Sequence, residues 1–265
     1  MENLFRYKAD LLYGDKLESA NSIGDFEFFI TSRPQITKAQ RRNNNVAIAG
    51  RDGDLIRDDD SYDNVDISLE CIIKSKTQAN KQNDIDKLYH WLNRGGYQKL
   101  QLYFRDEVYW MACFQGNFAY DNKKSDNLYT KISISFTAKP NQLKLKSDTI
   151  VVSPITASFN VPNNYGKSKP IFHVTGKGNF EIKVTDSTGK VTTIEFKDIS
   201  EANGALHVDT ELYIAYYGTP KIPRSAEEFV LADEYPVFTN GLNKVEILPF
   251  INVSKLEIEP RWAVL

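Results

Sequence analysis

Between Val65 and Ile73 the sequence VDISLECII sets Val65, Ile67, Leu69, Cys71 and Ile73 at every second position. Successive side chains of an extended chain point to opposite faces, so this alternation describes a strand with one face on a core. Ile132, Ile134 and Phe136 repeat it in TKISISFTA. Between the two, LQLYF, a charged RDE turn and VYWMACF read as a hairpin spanning Leu100 to Phe114. One stretch keeps a different period. In QANKQNDIDKLYHWLNRGG, the residues Ile85, Leu88, Trp91 and Leu92 fall on one face of a helix, with Asp84 near its start and Gly95 and Gly96 to stop it.

A chain of 265 residues accommodates one large domain or two ordinary ones, and the pattern decides for two. Near residue 140 the texture changes: KPNQLKLKSD is polar, carries a proline, and reads as a linker or a crossing strand. Beyond it IFHVTG, FEIKVTD, an STGK turn, VTTIEF, ALHVD, ELYIAYYG, NKVEILP and SKLEIEP follow at the spacing of a β-sandwich. The expected fold class is therefore mainly β. A β-rich α+β domain with one helix and a hairpin occupies residues 1–145, and an all-β sandwich occupies 146–265. Internal repeats and low-complexity tracts are absent from the sequence.

Charge excludes some partners. The 33 Lys and Arg nearly cancel the 35 Asp and Glu, so no global field draws the chain to nucleic acid or an acidic membrane. Cys71 and Cys113 are too few for a disulfide framework and lack the close pairing of Cys-rich zinc sites; both are expected to be reduced core residues. The opening segment MENLFRYKADLLYGDK has no apolar core leading to a small-residue cleavage site, and no segment is long enough to span a bilayer. Synthesis in a cytoplasm without a Sec-type signal peptide is the expectation.

The most charged stretch, GRDGDLIRDDDSYDN at 50–64, holds six aspartates and two arginines. A calcium loop of EF-hand type needs oxygens at positions 1, 3 and 5 and glycine at 6. Starting from Asp52 puts Arg57 at the glycine, and starting from Asp58 puts Tyr62 at the fifth position. An acid/base pair among Asp58, Asp59, Asp60 and Asp63 would need a defined separation and one raised pKa, which spacing does not supply. The stretch reads as a hydrated turn entering the Val65 strand, with Gly50 and Gly53 taking backbone angles that a side chain resists. His90, His173 and His207 lie on separate elements without HExxH spacing, there is no Gly-x-Ser-x-Gly elbow, and GKGN at 176–179 lacks the ending of a phosphate loop. No catalytic, cofactor-binding or metal-binding residue is expected. Tyr213, Tyr216 and Tyr217 either form an aromatic platform for sugars or pack along a strand.

VAIAGRDGDLIRDDDSYDNVDISLECII, followed by a helix ending in YHWLNRGGYQKLQLYFRDEVYWMACF, resembles the N-terminal region of phage distal tail proteins. These are hub subunits of long non-contractile tails that infect Gram-positive bacteria. The second half agrees in order: NNYGKSKPIFHVTGKGNFEIKV, LHVDTELYIAYY, YPVF with NGLNKVEI, and VSKLEIEPRWAVL. The resemblance implies an N-terminal belt domain that closes into a hexameric ring and a C-terminal galectin-like sandwich. It also implies a place at the tail tip of the virion, between the tail tube protein and the tail-associated lysin or tip protein, with receptor-binding proteins as further partners. A head-to-tail ring needs two unlike patches per subunit. Candidates are the basic KAQRR, with Lys38, Arg41 and Arg42, and the acidic stretch carrying Arg51, Asp52, Asp58, Asp59 and Asp60, helped by the Leu100 to Phe114 hairpin. The alternative reading is a cell-wall carbohydrate-binding module that uses the three tyrosines.

Overall fold

The computed structural model describes residues 10–121, 128–220 and 222–264, the side chains of Asn44 and of residues 57–60 excepted. The chain divides into two compact units, one up to Leu145 and a second from Lys146 to Val264.

The first unit contains β1 (Leu11–Tyr13), β2 (Glu18–Ser19), β3 (Glu27–Ile30), β4 (Arg41–Val46), β5 (Leu55–Tyr62) and β6 (Val65–Lys74). Helix α1 (Lys81–Leu92) follows, then β7 (Gln98–Leu102), β8 (Val108–Tyr120) and β9 (Tyr129–Lys144). An antiparallel sheet runs in the order β2-β1-β7-β8-β9-β6-β3. On β6 the alternation is realised as expected, with Val65, Ile67, Leu69, Cys71 and Ile73 buried. Ile67, Leu69 and Cys71 sit opposite Phe136, Ile134 and Ile132 of β9, so two apolar rows meet on one face. The other face carries polar cross-strand pairs: Ser68 Oγ lies 3.0 Å from Ser135 Oγ, and the Thr137 hydroxyl donates to Asp66 Oδ1 at 2.9 Å.

α1 covers the apolar face with Leu88, Trp91 and Leu92, and Trp91 meets the edge of Tyr13 at a ring separation of 5.7 Å. Full burial of each such side chain stabilises by about 1.5–3 kcal/mol, and this holds a helix that twelve residues alone would not sustain. After it, Gly95 and Gly96 take φ of 70° and 61°, as a helix stop requires. The polar KPNQLKLKSD is no linker up to Lys144; it completes β9. Pro140 falls where the β8–β9 register shifts between Ala112↔Ala138 and Trp110↔Gln142, a place that does not need its missing N–H.

The second unit contains β10 (Ile150–Val152), β11 (Ser158–Asn163), β12 (Ile171–Gly176), β13 (Gly178–Thr185), β14 (Val191–Ile199) and β15 (Leu206–Asp209). It continues with β16 (Ile214–Thr219), β17 (Ile222–Ser225), β18 (Val230–Leu231), β19 (Gly241–Leu248) and β20 (Val253–Glu259). These make a six-stranded sheet, β10-β20-β12-β15-β16-β17, and a five-stranded sheet, β11-β19-β13-β14-β18. One core cluster joins Phe172, Val174, Leu206 and Ile258 of the first to Ile182, Phe196, Val245 and Ile247 of the second, so the sheets pack as a sandwich. The expected strand ELYIAYYG begins only at Ile214. Glu211 and Leu212 instead donate their N–H groups to Asp209 Oδ1 at 2.9 and 3.1 Å, a turn that leaves Tyr213 at φ 59°.

Candidate functional site

Among the described residues β4 and β5 pair only with each other, as a two-stranded ribbon in which Val46 faces Leu55 and Arg41 faces Tyr62. The acidic stretch is thus not a turn entering β6. Asp58, Asp59 and Asp60 lie within β5, and the turn is the Ala47–Asp54 loop, with Gly50 and Gly53 at φ 79° and 78°. Nothing lies within 4 Å of a Cβ built on either glycine, so the backbone angle alone favours glycine there. The side chains of Asp58, Asp59 and Asp60 lie outside the described residues.

The ribbon's root is held by charge and aromatic contacts: Arg42 Nε donates to Asp63 Oδ1 at 2.7 Å, and the Arg41 guanidinium lies 5.9 Å from the Tyr62 ring centre. Asp63, in that ion pair, is therefore not a spare carboxylate. Toward the tip the side chains are apolar yet open to solvent, with Ile56 64% exposed and Val46, Ile48 and Leu55 about as open as a surface residue. Arg51, Asp52 and Asp54 are exposed in the loop, and Lys38 is exposed before the ribbon begins. A two-stranded hairpin is at best marginally stable alone in water, and exposed apolar side chains on both faces of its tip make the ribbon a candidate interaction site. The basic KAQRR and the acidic stretch, expected on two separate faces, are brought together here: Asn43, next to Arg42, faces Asp58.

Beside the root opens a cavity of about 500 Å³ lined by Arg33, Lys38, Arg105, Tyr62, Phe104 and Trp110 among others, with no carboxylate among its described lining residues. Arg105 Nη1 donates to Gln142 Oε1 at 2.7 Å, and the Arg33 guanidinium lies 5.1 Å from the Phe104 ring centre. The Leu100 to Phe114 hairpin, expected to help set ring register, is mostly core: β7–β8 pair inside the sheet, and Leu100, Trp110 and Phe114 are buried. Its turn, with Phe104 and Arg105, and Trp110 of β8 line the cavity.

In the second unit the three tyrosines do not form a platform. Tyr213 is 58% exposed, but Tyr216 and Tyr217 are 6% and 3% exposed. Tyr217 enters the core against Phe229, whereas Tyr216 lies on the outer face beside His207 at 5.1 Å between ring centres. Tyr213 instead stacks edge-on against Tyr235, under Lys169 Nζ at 5.6 Å. The histidines read as unrelated are partly brought together: His173 of β12 and His207 of β15 face each other across the strands, while His90 belongs to α1 of the first unit. Sequence spacing could not find that pair, because 34 residues separate its members. Among the described residues no group of three or more His, Cys, Asp or Glu is arranged to hold a metal ion. Cys71 is buried, and desolvation pushes its thiol far above the usual range; Cys113 is half-buried, and the two are unpaired with each other.

Residues 19–138 match the family of the phage tail protein RIFT-related domain. Most of the chain superposes on solved structures at low identity. The distal tail protein (Dit) of phage SPP1, described as a paradigm of the hub adsorption apparatus in phages infecting Gram-positive hosts, is 12% identical with a TM-score of 0.64. That match covers 94% of this chain and 97% of the SPP1 chain. A chain of the phage P2 baseplate in its calcium-activated conformation is 11% identical with a TM-score of 0.56, over 97% and 98% of the two chains. A strontium form of that baseplate matches at 11% identity and a TM-score of 0.53, over 94% and 96%. No curated protein matches the sequence.

Proposed function

We propose that this chain, a siphophage tail protein of Dit-like fold and a structural component of the tail, closes head to tail into a six-membered ring. The ring joins the tail tube to the tip or baseplate apparatus at the distal end of the virion. Residues 1–145 form its belt, and residues 146–265 form a galectin-like sandwich that offers docking points to lysin, tip and receptor-binding proteins. The role is non-enzymatic. The observation that carries this reading is the apolar-tipped ribbon on a chain that follows the SPP1 Dit fold over 94% of its length.

A heterologous contact needs two unlike surfaces on each subunit. The ribbon supplies one: its apolar tip and the exposed Asp52 and Asp54 reach the next copy. The cavity at the root supplies the other, with the half-buried Ile36 and Phe104 for the tip and with Arg33, Lys38 and Arg105 for its acids. Arg41 and Arg42 brace the ribbon within their own subunit, so the contact pairs Arg51, Asp52 and Ile56 with the neighbour's root. Asp58, Asp59 and Asp60 remain candidates for the flank of that contact. In this arrangement six weak peripheral sites gain from one another through effective concentration.

The test is the solution mass of the chain with and without the adjoining tail tube protein, since ring closure is linked to whatever binds the ring. Six copies per particle in either condition support the proposal. A monomer in both, retained on host cell walls, supports the carbohydrate-binding reading instead, which the burial of Tyr216 and Tyr217 leaves with Tyr213 alone.

A further inference from the structure

The sequence holds two Asn-Gly pairs, Asn203–Gly204 and Asn240–Gly241. Such a pair has a chemistry of its own. The asparagine carboxamide stands one methylene from the backbone, so the amide nitrogen of the next residue closes a five-membered ring when it reaches Cγ. Glycine hinders that approach least, because it has no Cβ and the widest choice of backbone angles. In a folded chain the reaction waits for the backbone to leave its native turn, and turns differ in how readily they open.

The structure separates the two pairs. Asn240 stands at the start of β19 and is tied to its neighbours. Its Nδ2 donates to the Tyr165 carbonyl at 3.0 Å, its own backbone carbonyl accepts from Ser187 Oγ at 2.6 Å, and Gly241 pairs with Asn163 of β11. A Cβ built on Gly241 would stand 2.9 Å from Ser187 Cβ, so the backbone there is closely packed. Asn203 and Gly204 instead lie in the connection between β14 and β15, at the end of a single 3-10 turn, Glu201–Asn203. Every residue from Ser200 to Gly204 is exposed. The Asn203 and Gly204 N–H groups donate to the Ser200 and Glu201 carbonyls at 3.1 and 3.0 Å. Gly204 has φ 79°, and nothing lies within 4 Å of a Cβ built on it. The Asn203 carboxamide faces the Tyr217 hydroxyl, which has no hydrogen-bond partner among the described residues. Opening this one exposed turn therefore frees both reacting groups.

We propose that Asn203 is a site of spontaneous modification, converted by water to aspartate and isoaspartate, while the fold keeps Asn240 intact. The Gly204 nitrogen attacks Asn203 Cγ, the new N–Cγ bond forms, and the Cγ–Nδ2 bond breaks. Nδ2 takes up the proton that the Gly204 nitrogen gives away and leaves as ammonia. Water then opens the cyclic imide at one of its two carbonyls. One opening restores the main chain as aspartate; the other routes it through the side chain as isoaspartate, one atom longer just ahead of β15. One water is consumed, one ammonia is released, and nothing is oxidised or reduced. Either product sets a new carboxylate beside Tyr217, whose ring centre already lies 5.2 Å from the Arg224 guanidinium.

The test holds the full chain at mildly alkaline pH in water enriched in heavy oxygen, so that residues converted during the incubation carry the label. Peptide mapping with electron-transfer fragmentation then separates aspartate from isoaspartate. The expected result is both labelled products at residue 203, formed at least about tenfold faster than at residue 240, the factor that one hydrogen bond at the strong end of the ordinary range supplies. In urea the two rates converge. Asn203→Gln removes the labelled products at that position, since the longer side chain does not close the five-membered ring. An Asn203 that stays intact in the folded chain, or one that converts no faster than Asn240, overturns the proposal. So does a difference between the sites that persists unchanged in urea.

Discussion

Ile56 stands on the ribbon with 64% of its surface open, and replacing it with serine separates a role in assembly from a role in folding. Complete burial of an isoleucine side chain stabilises by about 1.5–3 kcal/mol, and roughly two-thirds of that remains to be gained in the single chain. A neighbouring root that covers Ile56 therefore gains about 1–2 kcal/mol per contact, close to a factor of ten in affinity. A closed ring repeats the contact six times, so Ile56→Ser weakens the whole assembly by about 6–12 kcal/mol if the contacts add. The fold feels little, because the residue belongs to neither core cluster and such surface changes stay within about 0.5 kcal/mol. Sedimentation velocity over a concentration series reads the first effect, and calorimetry at a concentration where both chains are monomeric reads the second, free of the stabilisation that assembly itself confers. The reasoning predicts dissociation at concentrations where the parent chain stays assembled, with an unchanged melting temperature. A variant that assembles like the parent, or one that melts several degrees lower, refutes it.

Further outcomes follow from the second unit and from the cysteines. Arg261, its side chain 14% exposed, ties Asp209 at 2.5 Å and Glu211 at 3.3 Å, so Arg261→Ala leaves a buried carboxylate unpaired and costs about 3–5 kcal/mol in denaturant unfolding. An unfolding midpoint equal to that of the parent would count against the pair's structural role. His173 and His207 titrate below the ordinary histidine range in the fold, so below about pH 6.5 the unfolded chain binds protons that the fold rejects, and stability falls as pH drops. The double variant His173→Gln with His207→Gln flattens that upper part of the pH–stability curve, and a curve parallel to the parent's contradicts the assignment. Cys71, buried with its thiol pushed up by desolvation, resists iodoacetamide in the native chain and reacts on unfolding, as mass spectrometry of the peptides reads directly.

Much of the architecture is legible in the sequence because burial on one face writes a period into it. Val65 to Ile73 and Ile132 to Phe136 alternate since each strand has one wet side, and Leu88, Trp91 and Leu92 keep the helical period since one stripe meets the sheet. The ribbon escapes such reading. None of its described side chains belongs to a core cluster, so Arg41–Val46 and Leu55–Tyr62 carry no alternation, and a run of aspartates reads as a turn although the backbone pairs. Tyr216 and Tyr217 are consecutive and both buried, one on the outer face beside His207 and one between the sheets, an arrangement that period alone cannot separate from exposure on one side. The meeting of His173 with His207 depends on the register of β12 against β15, which only the folded sheet supplies.

Negative-stain electron microscopy of the purified chain, alone and with its adjoining tail tube protein, tests ring closure most directly. Class averages with six-fold symmetry, a central opening and outward lobes are the predicted result. Single two-lobed particles in both preparations contradict it.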